Sequence, residues 1–195
     1  NQELYDKYAP MMQKYNPKWG MGDIIIKDRT GEGVINDEDR TVIGNSIPRF
    51  TFGLNLGFEY KGFDFSCFFQ GVGKADGYVT MEAIQPMGIN GARKEHYKES
   101  FNPQDPKPGA YFPRILSSDY NYAYMSHWVQ DASYIRLKNL QIGYSFKIKG
   151  LNQLRVYASG ENLFTATKYR TWDPETPVGA RGFYPNVAVY SMGVN

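Results

Sequence analysis

The stretch RFTFGLNLGFEYKGFDFSCFFQGVG, residues 49–73, decides the fold class. Apolar residues alternate strictly with polar residues or glycine over residues 50–60, which is the period of a β-strand. A Lys-Gly pair at 61–62 provides a tight turn, and the alternation resumes over residues 63–70. The stretch therefore predicts a long β-hairpin, although Phe68 breaks the alternation of the second arm.

Three further segments show the same alternation. They are YIRLKNLQIGYSFKI at 134–148, QLRVYASGENLF at 153–164 and NVAVYSMGVN at 186–195, with a turn at 147–152 between the first two. With the hairpin they make five strands of about 9 to 13 residues, close to the 9–11 residues that a tilted membrane strand needs.

The connections between these strands alternate in length. The long ones cover residues 72–133 and 165–185, so short turns lie at one end of the strands and long loops at the other. This asymmetry is typical of outer-membrane barrels, whose smallest members have about eight strands. Five open strands would leave backbone edges that lipid cannot satisfy. We therefore predict an all-β fold, namely an antiparallel transmembrane β-barrel segment that belongs to a larger barrel. The alternative is a soluble β protein, although such proteins more often have shorter strands and more even connections.

Composition excludes several classes of protein. The 195 residues carry 22 Lys and Arg against 20 Asp and Glu, so the net charge of +2 gives no case for nucleic-acid binding. Cys67 is the single cysteine, which excludes a disulfide framework and a CxxC metal or redox motif. No apolar run reaches the roughly 18 residues of a transmembrane helix. The 16% aromatic content fits both membrane barrels and aromatic-rich soluble sandwiches.

Residues 1–48 precede the strands and are predicted to form a loop region, with residues 49–195 forming the strands and their loops. The segment NQELYDKYAPMMQKY predicts a short helix over residues 3–12, limited by Pro10.

The segment GDIIIKDRTGEGVINDEDR, residues 22–40, resembles a calcium-binding loop. Counted from position 28, it places oxygen donors at loop positions 1, 3, 5, 7, 9 and 12 and a glycine at position 6, as the EF-hand template requires. Thr30 is a poor neutral donor and Glu32 is longer than Asp, so a polar turn that bonds its own backbone is the alternative. The candidate ligands of a structural Ca²⁺ ion in the loop 28–39 are Asp28, Thr30, Glu32, the Val34 carbonyl, Asn36 and Asp39.

Aromatic residues of the long loops are candidate contacts for a substrate or for a covering partner protein, because Tyr and Trp stack on sugars and dominate protein interfaces. The alternative is that they pack the loops against one another. The candidates are Tyr111, Phe112, Tyr120, Tyr122, Tyr124, Trp128 and Trp172.

The sequence offers no catalytic arrangement. His96 and His127 are not accompanied by a recognisable triad or metal motif, and no glycine-rich phosphate loop is present. We therefore predict that the chain is not an enzyme.

Three segments together resemble the C-terminal region of the SusC/RagA family of TonB-dependent outer-membrane transporters. The first is GDIIIKDRTGEGVINDEDRTVIGNSIPRFTFGLNLGFEYKGFDFSCFFQGVG, the second is ASYIRLKNLQIGYSF, and the third is LRVYASGENLFT followed by YPNVAVYSMGVN. Each segment alone is moderately specific, and their order and spacing make the resemblance highly specific.

The resemblance implies a fold of about 22 strands closed by a plug, of which this chain supplies roughly the last five strands. It implies import of oligosaccharides or peptides across the bacterial outer membrane, with a SusD-like surface lipoprotein as lid and energy delivered through TonB. The long loops would be extracellular, and the short turns would face the periplasm. A plug and a TonB box are expected upstream, and an aromatic C-terminal residue is expected a few positions beyond Asn195.

The resemblance also favours calcium in the loop 28–39, because the family version of this segment is richer in Asp. The second interpretation of the whole chain is a soluble, secreted, β-rich module that binds calcium and carbohydrate. The two interpretations differ in whether the apolar stripe of residues 50–58 faces lipid or a protein core.

Overall fold

The computed structural model of the chain describes residues 2–79, 81–86, 91–106, 109–116, 120–150, 153–175 and 184–195. The chain forms two compact units. The first combines Asn1–Ile43 with Thr80–Ser126, and the second combines Gly44–Val79 with His127–Asn195. The first unit therefore contains most of the predicted N-terminal loop region together with the middle of the first long loop.

The elements of the described residues are as follows in chain order. The helices are α1 (Gln2–Tyr15), α2 (Met81–Ile84) and α3 (Lys94–Glu99), and short 3-10 turns occupy Asp37–Asp39, Tyr120–Tyr122 and Ser126–Trp128. The strands are β1 (Phe50–Tyr60), β2 (Phe63–Gly73), β3 (Asp76–Tyr78), β4 (Val129–Asp131), β5 (Tyr134–Phe146), β6 (Leu154–Thr167) and β7 (Val189–Val194).

The five long strands form one antiparallel sheet in the order β1-β2-β5-β6-β7, which confirms the predicted fold class. The β1–β2 turn has φ values of 48° at Lys61 and 88° at Gly62. Two successive positive φ angles make the type of two-residue turn that matches the twist of a hairpin. Residues 151–152 of the second predicted turn lie outside the described residues.

One face of this sheet is apolar across all five strands, because the register places apolar residues opposite one another. Leu56 pairs with Cys67, Cys67 with Leu140, and Ile142 with Ala158. The apolar residues of this face are Phe50, Phe52, Leu54, Leu56, Phe58, Tyr60, Phe63, Phe65, Cys67, Phe69, Ile135, Leu137, Leu140, Ile142, Tyr144, Phe146, Leu154, Val156, Ala158, Phe164, Ala166, Tyr190, Met192 and Val194.

The apolar face is largely open to its surroundings. Phe50 is 51% exposed, Leu56 49% and Met192 90%. An exposed apolar surface of this extent marks contact with a membrane or another macromolecule. It does not form the core of the second unit.

A β-bulge at Lys138 keeps the apolar face continuous along β5. Phe68 pairs with Asn139 and Phe69 with Leu137, so Lys138 has no partner on β2. The extra residue changes the phase of the strand, because side chains alternate with a period of two. Ile135 and Leu137 therefore share a face with Leu140, which strict alternation would have placed on the other side.

The aromatic residue that breaks the alternation of β2 lies on the polar face. Phe68 pairs with Asn55, and its ring extends over Gly53 of the neighbouring strand. A Cβ atom at position 53 would lie 3.0 Å from Phe68 Cε2, so the missing side chain leaves room for the ring.

Several element bounds differ from the predicted ones. Strand β6 continues to Thr167 and therefore takes up the start of the second predicted loop, whereas β7 begins only at Val189. The first long connection contains a small antiparallel sheet of β3 and β4 and the helices α2 and α3. Residues 176–183 of the second loop lie outside the described residues.

Helix α1 is longer than the predicted 3–12, because it runs to Tyr15 with Pro10 inside it. Burial of one side of the helix offsets the loss of helix stability that the proline causes. Met12 is fully buried against Trp19 and Ile35, and Tyr5 stacks on Trp19 with ring centroids 5.4 Å apart.

A buried ion pair holds the first unit together. The Asp23 side chain is 1% exposed and accepts hydrogen bonds from Arg114 Nε at 2.7 Å and Nη2 at 2.6 Å. The buried Asn121 amide donates to Asp23 Oδ1 at 2.8 Å and accepts from the Ile24 amide at 3.0 Å. These contacts connect residues more than ninety positions apart in the chain.

The helices of the described residues include none with the length and apolar character needed to cross a membrane.

Candidate functional site

The predicted calcium loop is ordered by hydrogen bonds from its own backbone to two carboxylates. Asp28 accepts from the amides of Gly31 at 2.6 Å and Gly33 at 2.7 Å. Asp39 accepts from the amides of Arg29 at 2.6 Å and Asn36 at 3.0 Å. The Gly33 and Gly31 amides lower the pKa of Asp28, and the Asn36 and Arg29 amides lower that of Asp39, so both are charged at neutral pH.

Only part of the predicted ligand set converges. Thr30 links the two carboxylates, since its hydroxyl donates to Asp28 and its amide to Asp39, each at 3.2 Å. Glu32 lies instead beside Asn36, whose amide donates to it at 3.4 Å. Val34 is exposed. No group of three or more His, Cys, Asp or Glu side chains placed for a metal occurs in the described part of the chain.

These residues fit a calcium ion in donor chemistry. Calcium prefers oxygen ligands, and the Oδ2 atoms of Asp28 and Asp39 each accept one hydrogen bond and keep a lone pair, whereas both Oδ1 atoms accept two. Asp28, Asp39 and the Thr30 hydroxyl are the donors already gathered in one place, whereas Glu32 and Asn36 would have to turn toward them.

The aromatic candidates of the first unit mostly serve packing. Tyr122 is buried, and the half-buried Tyr120 packs on the α1 core and donates from its hydroxyl to the Ile24 carbonyl at 2.8 Å. Burial raises the pKa of both phenols. Tyr111 and Phe112 meet edge to face with centroids 5.0 Å apart. Tyr124, by contrast, is 87% exposed.

The remaining two aromatic candidates belong to the second unit. Trp128 is fully buried, and its carbonyl accepts from the Val79 amide at 3.0 Å. Its ring has no surface open to a ligand. Trp172 is half-buried in the segment that follows β6.

The histidine of the first unit is engaged by backbone groups. The His96 ring is fully buried, with Nδ1 accepting from the Arg93 amide at 3.1 Å and Nε2 2.8 Å from the Ala83 carbonyl. A neutral ring protonated at Nε2 satisfies both contacts, which is a structural role.

The polar face of the sheet, opposite the apolar face, carries an ion bridge that spans three strands. Arg155 of β6 donates to Asp64 of β2 from Nε at 2.9 Å and from Nη2 at 2.5 Å. The pair passes over Gly143 of β5, where a Cβ atom would overlap both side chains. Glycine at this position therefore permits the bridge.

A second and more buried ion cluster lies on the same face, where β5 meets a segment that we call the strap, residues 171–175. Arg136 is 3% exposed and its Nη2 donates to Asp173 at 2.7 Å, while Nε donates to Thr165 at 2.7 Å. Lys138, the bulge residue, donates to Glu175 at 3.0 Å. The cluster is electrically balanced, with two cations from the strand and two anions from the strap.

Hydrogen bonds from the backbone complete the environment of Asp173. Burial raises the pKa of Asp173, but the amides of Glu175 and Asn186 and the Arg136 guanidinium outweigh it and hold the pKa below its usual value. The Asn186 side chain also donates to Glu175 at 2.7 Å. The chain is thus tied to the cluster on both sides of residues 176–183.

The strap borders a cleft of about 360 Å³, a volume in the range of small ligand pockets. Its lining includes Pro174 and Glu175 of the strap and Gln70 and Tyr134 of the polar face. The other lining residues are Ser46, Pro48, Val72, Ala75, Asp76, Ala132 and Tyr169. We take this cleft and the ion cluster as the candidate site.

Sequence reasoning missed this site. The cluster joins residues 37 positions apart, and no local pattern connects them. The available signal was the presence of Arg136 and Lys138 within a strand that is otherwise uncharged, together with the acidic pair of the sequence DPE at 173–175.

Comparison with known proteins identifies the chain. The TonB-dependent receptor P3 of Formosa agariphila is 34% identical over 198 residues, covering 89% of this chain and 19% of that protein. The TonB-dependent receptor SusC of Bacteroides thetaiotaomicron is 27% identical over 182 residues, covering 88% of this chain and 17% of that protein. No protein-family model matches the chain.

Solved structures agree on the fold. The RagAB peptide importer in its closed-closed state aligns with a TM-score of 0.61 and 24% identity, over 78% of this chain and 18% of that one. A further structure of the RagAB peptide transporter aligns with a TM-score of 0.61 and 25% identity, over 77% and 17%. The chain spans less than a fifth of the curated relatives it matches.

An antiparallel sheet with one apolar and one polar face, together with these relatives, places the chain among the TonB-dependent receptors, a class of outer-membrane proteins. Within that class it is a segment of the SusC/RagA family, as the sequence motifs indicated.

Proposed function

We propose that the chain forms part of the wall of an outer-membrane importer that takes up oligosaccharides or peptides. The observation that carries the proposal is the five-stranded sheet itself, whose exposed apolar face suits lipid and whose polar face suits a water-filled interior. In this arrangement the long connections are extracellular, and the short turns face the periplasm. The soluble module is less favoured, because its apolar stripe would have to be covered.

The same proposal includes two partners. A SusD-like surface lipoprotein acts as the lid, which the similarity to SusC and to the RagAB importer supports. TonB supplies energy to the full-length transporter. The chain contributes binding surface and framework and performs no covalent chemistry, in line with relatives that are receptors and importers rather than enzymes.

Deletion of the full-length gene in its host is expected to abolish growth on one polymer class, either glycans or peptides, while growth on monomers continues. The full-length tagged transporter is expected to co-purify with a surface lipoprotein. Uptake of labelled oligosaccharide and peptide mixtures distinguishes the two substrate classes. Unchanged uptake of both mixtures in the deletion strain would overturn the proposal.

We also propose that the loop 28–39 binds a structural Ca²⁺ ion. The support is the pair of charged carboxylates, Asp28 and Asp39, which Thr30 links within one tight loop. The ion would draw in Glu32, the Val34 carbonyl and Asn36 and would stiffen an extracellular segment.

Calcium is expected to raise the melting temperature of the full-length transporter by a few degrees, since binding to the folded state alone stabilises it. The Asp39→Asn variant should lose this shift. The matched control is Asp37→Asn, which alters an exposed carboxylate of the same loop that lies outside the predicted ligand set. If chelators and calcium leave the wild-type melting temperature unchanged, the loop is a hydrogen-bonded turn and binds no ion.

A further inference from the structure

We propose that the strap, residues 171–175, is a releasable wall of the cleft and that Arg136 is the residue that holds it closed. The inference rests on the proposed function, because it assigns a gate to the interior surface of the same importer. It concerns access to the cleft and does not depend on which polymer is transported.

The strap contributes two of the residues that line the cleft. These are Pro174 and Glu175, whereas Gln70, Val72 and Tyr134 belong to strands β2 and β5 of the sheet. The strand side chains are fixed by the pairing of the sheet. Movement of the strap would therefore widen the cleft without disturbing any strand.

Polar contacts hold the acidic end of the strap. Asp173 and Glu175 reach Arg136 and Lys138 at distances of 2.7 to 3.1 Å. At its beginning, the strap is attached through Gln130, which donates to Thr171 at 3.2 Å. The residue best placed as a hinge is Tyr169, which is buried and packs over Gly77 before the strap begins.

An anchor made of buried charges differs energetically from an apolar seal. The attraction between buried ions is largely offset by the cost of removing them from water, so a closed strap gains little net free energy over a hydrated one. If the strap were held by apolar side chains instead, the free energy of burying them would favour the closed state without an offsetting desolvation cost. The charged anchor thus allows two states of similar free energy, which a gate requires.

The closed cluster is also incompletely satisfied. Arg136 Nη1 is buried and lies 3.1 Å from Glu175 Oε2, yet the geometry does not form a hydrogen bond. This contact is therefore an ion pair without a hydrogen bond, and the hydrogen-bonded Arg136–Asp173 pair at 2.7 Å is the stronger of the two.

Hydrogen exchange of the strap in the full-length transporter tests the proposal. Arg136→Met should raise the exchange of residues 168–175 by about tenfold or more, because it leaves the buried Asp173 carboxylate without its cation. The conservative Arg136→Lys should restore much of the protection. Cysteine labelling of a Thr171→Cys variant should report the same increase in access.

The matched control is Arg155→Met, which removes the other arginine–carboxylate bridge of the polar face and leaves the strap untouched. Equal strap exchange in the Arg136 and Arg155 variants would overturn the proposal, as would unchanged exchange in Arg136→Met. If Arg136→Met does not assemble, Asp173→Asn, which removes the carboxylate that Arg136 binds, serves as the test with the same expected direction.

Uptake measured in the same cells separates this inference from the proposed function. If the wild-type transporter takes up substrate but hydrogen exchange of the strap is unchanged in Arg136→Met, the gate is overturned and the importer is not. Absence of wild-type uptake overturns the importer as well, whatever the strap does.

Discussion

Leu140→Arg in the full-length transporter is expected to destabilise the barrel by about 2–4 kcal/mol, the cost of an arginine facing lipid near the middle of the membrane. Leu140 lies at the centre of β5 on the apolar face, between Cys67 and Gly160 of the neighbouring strands. The charged side chain would have no water within reach. Urea unfolding followed by heat-dependent gel migration of the folded barrel measures the effect.

The matched control is Gln141→Arg, one residue along the same strand. Gln141 pairs with Ser66 and Ser159 on the polar face, where an arginine can remain hydrated. A change within about 0.5 kcal/mol is expected, as for a surface substitution. Equal losses for the two variants would contradict the assignment of Leu140 and Gln141 to opposite faces of the sheet.

Arg114→Met is expected to destabilise the first unit by about 3–5 kcal/mol, because it leaves the Asp23 carboxylate buried without its cation. Asp23 would keep only the Asn121 and Gly20 contacts. Thermal unfolding and limited proteolysis of the full-length protein, followed within residues 1–43, measure the loss. Cleavage should appear in this segment before the sheet unfolds.

The control for this variant is Arg40→Met. The Arg40–Asp37 pair has side chains that are 83% and 88% exposed, so its loss should cost no more than about 1 kcal/mol. If Arg114→Met were as mild as Arg40→Met, the buried pair would not stabilise the unit.

The hairpin was predictable because every contact that defines it is local. Alternation over β1 and β2, with a Lys-Gly turn between them, determines strand, turn and register at once. The first unit was not predictable in the same way. Asp23 meets Arg114 and Asn121 across 91 and 98 positions, and no local pattern indicates such a pair.

Helix α1 shows a further limit of local rules. Pro10 predicts an early end because it removes one hydrogen bond from the helix. Packing of Met12 and of neighbouring aromatic residues outweighs that loss, and the helix continues to Tyr15. Tertiary burial of this kind cannot be read from the segment alone.

The calcium loop could be predicted in part and the candidate site could not. The loop positions follow from spacing, and Thr30 bonds to both Asp28 and Asp39. The ion cluster of Arg136 depends on how a long loop returns to the sheet, which strand periodicity does not encode. The aromatic residues illustrate the opposite case, since Trp128 looked available for binding and is fully buried.

The bulge at Lys138 decides which side chains of β5 lie on each face. Before the bulge the odd-numbered Ile135 and Leu137 lie on the apolar face, and after it the even-numbered Leu140 and Ile142 do. If Lys138 were paired like its neighbours, the half of the strand before it would turn over, and Arg136 would lie among apolar side chains while Ile135 and Leu137 moved to the polar face. One unpaired residue thus keeps the charged contacts of the strand separate from its apolar face.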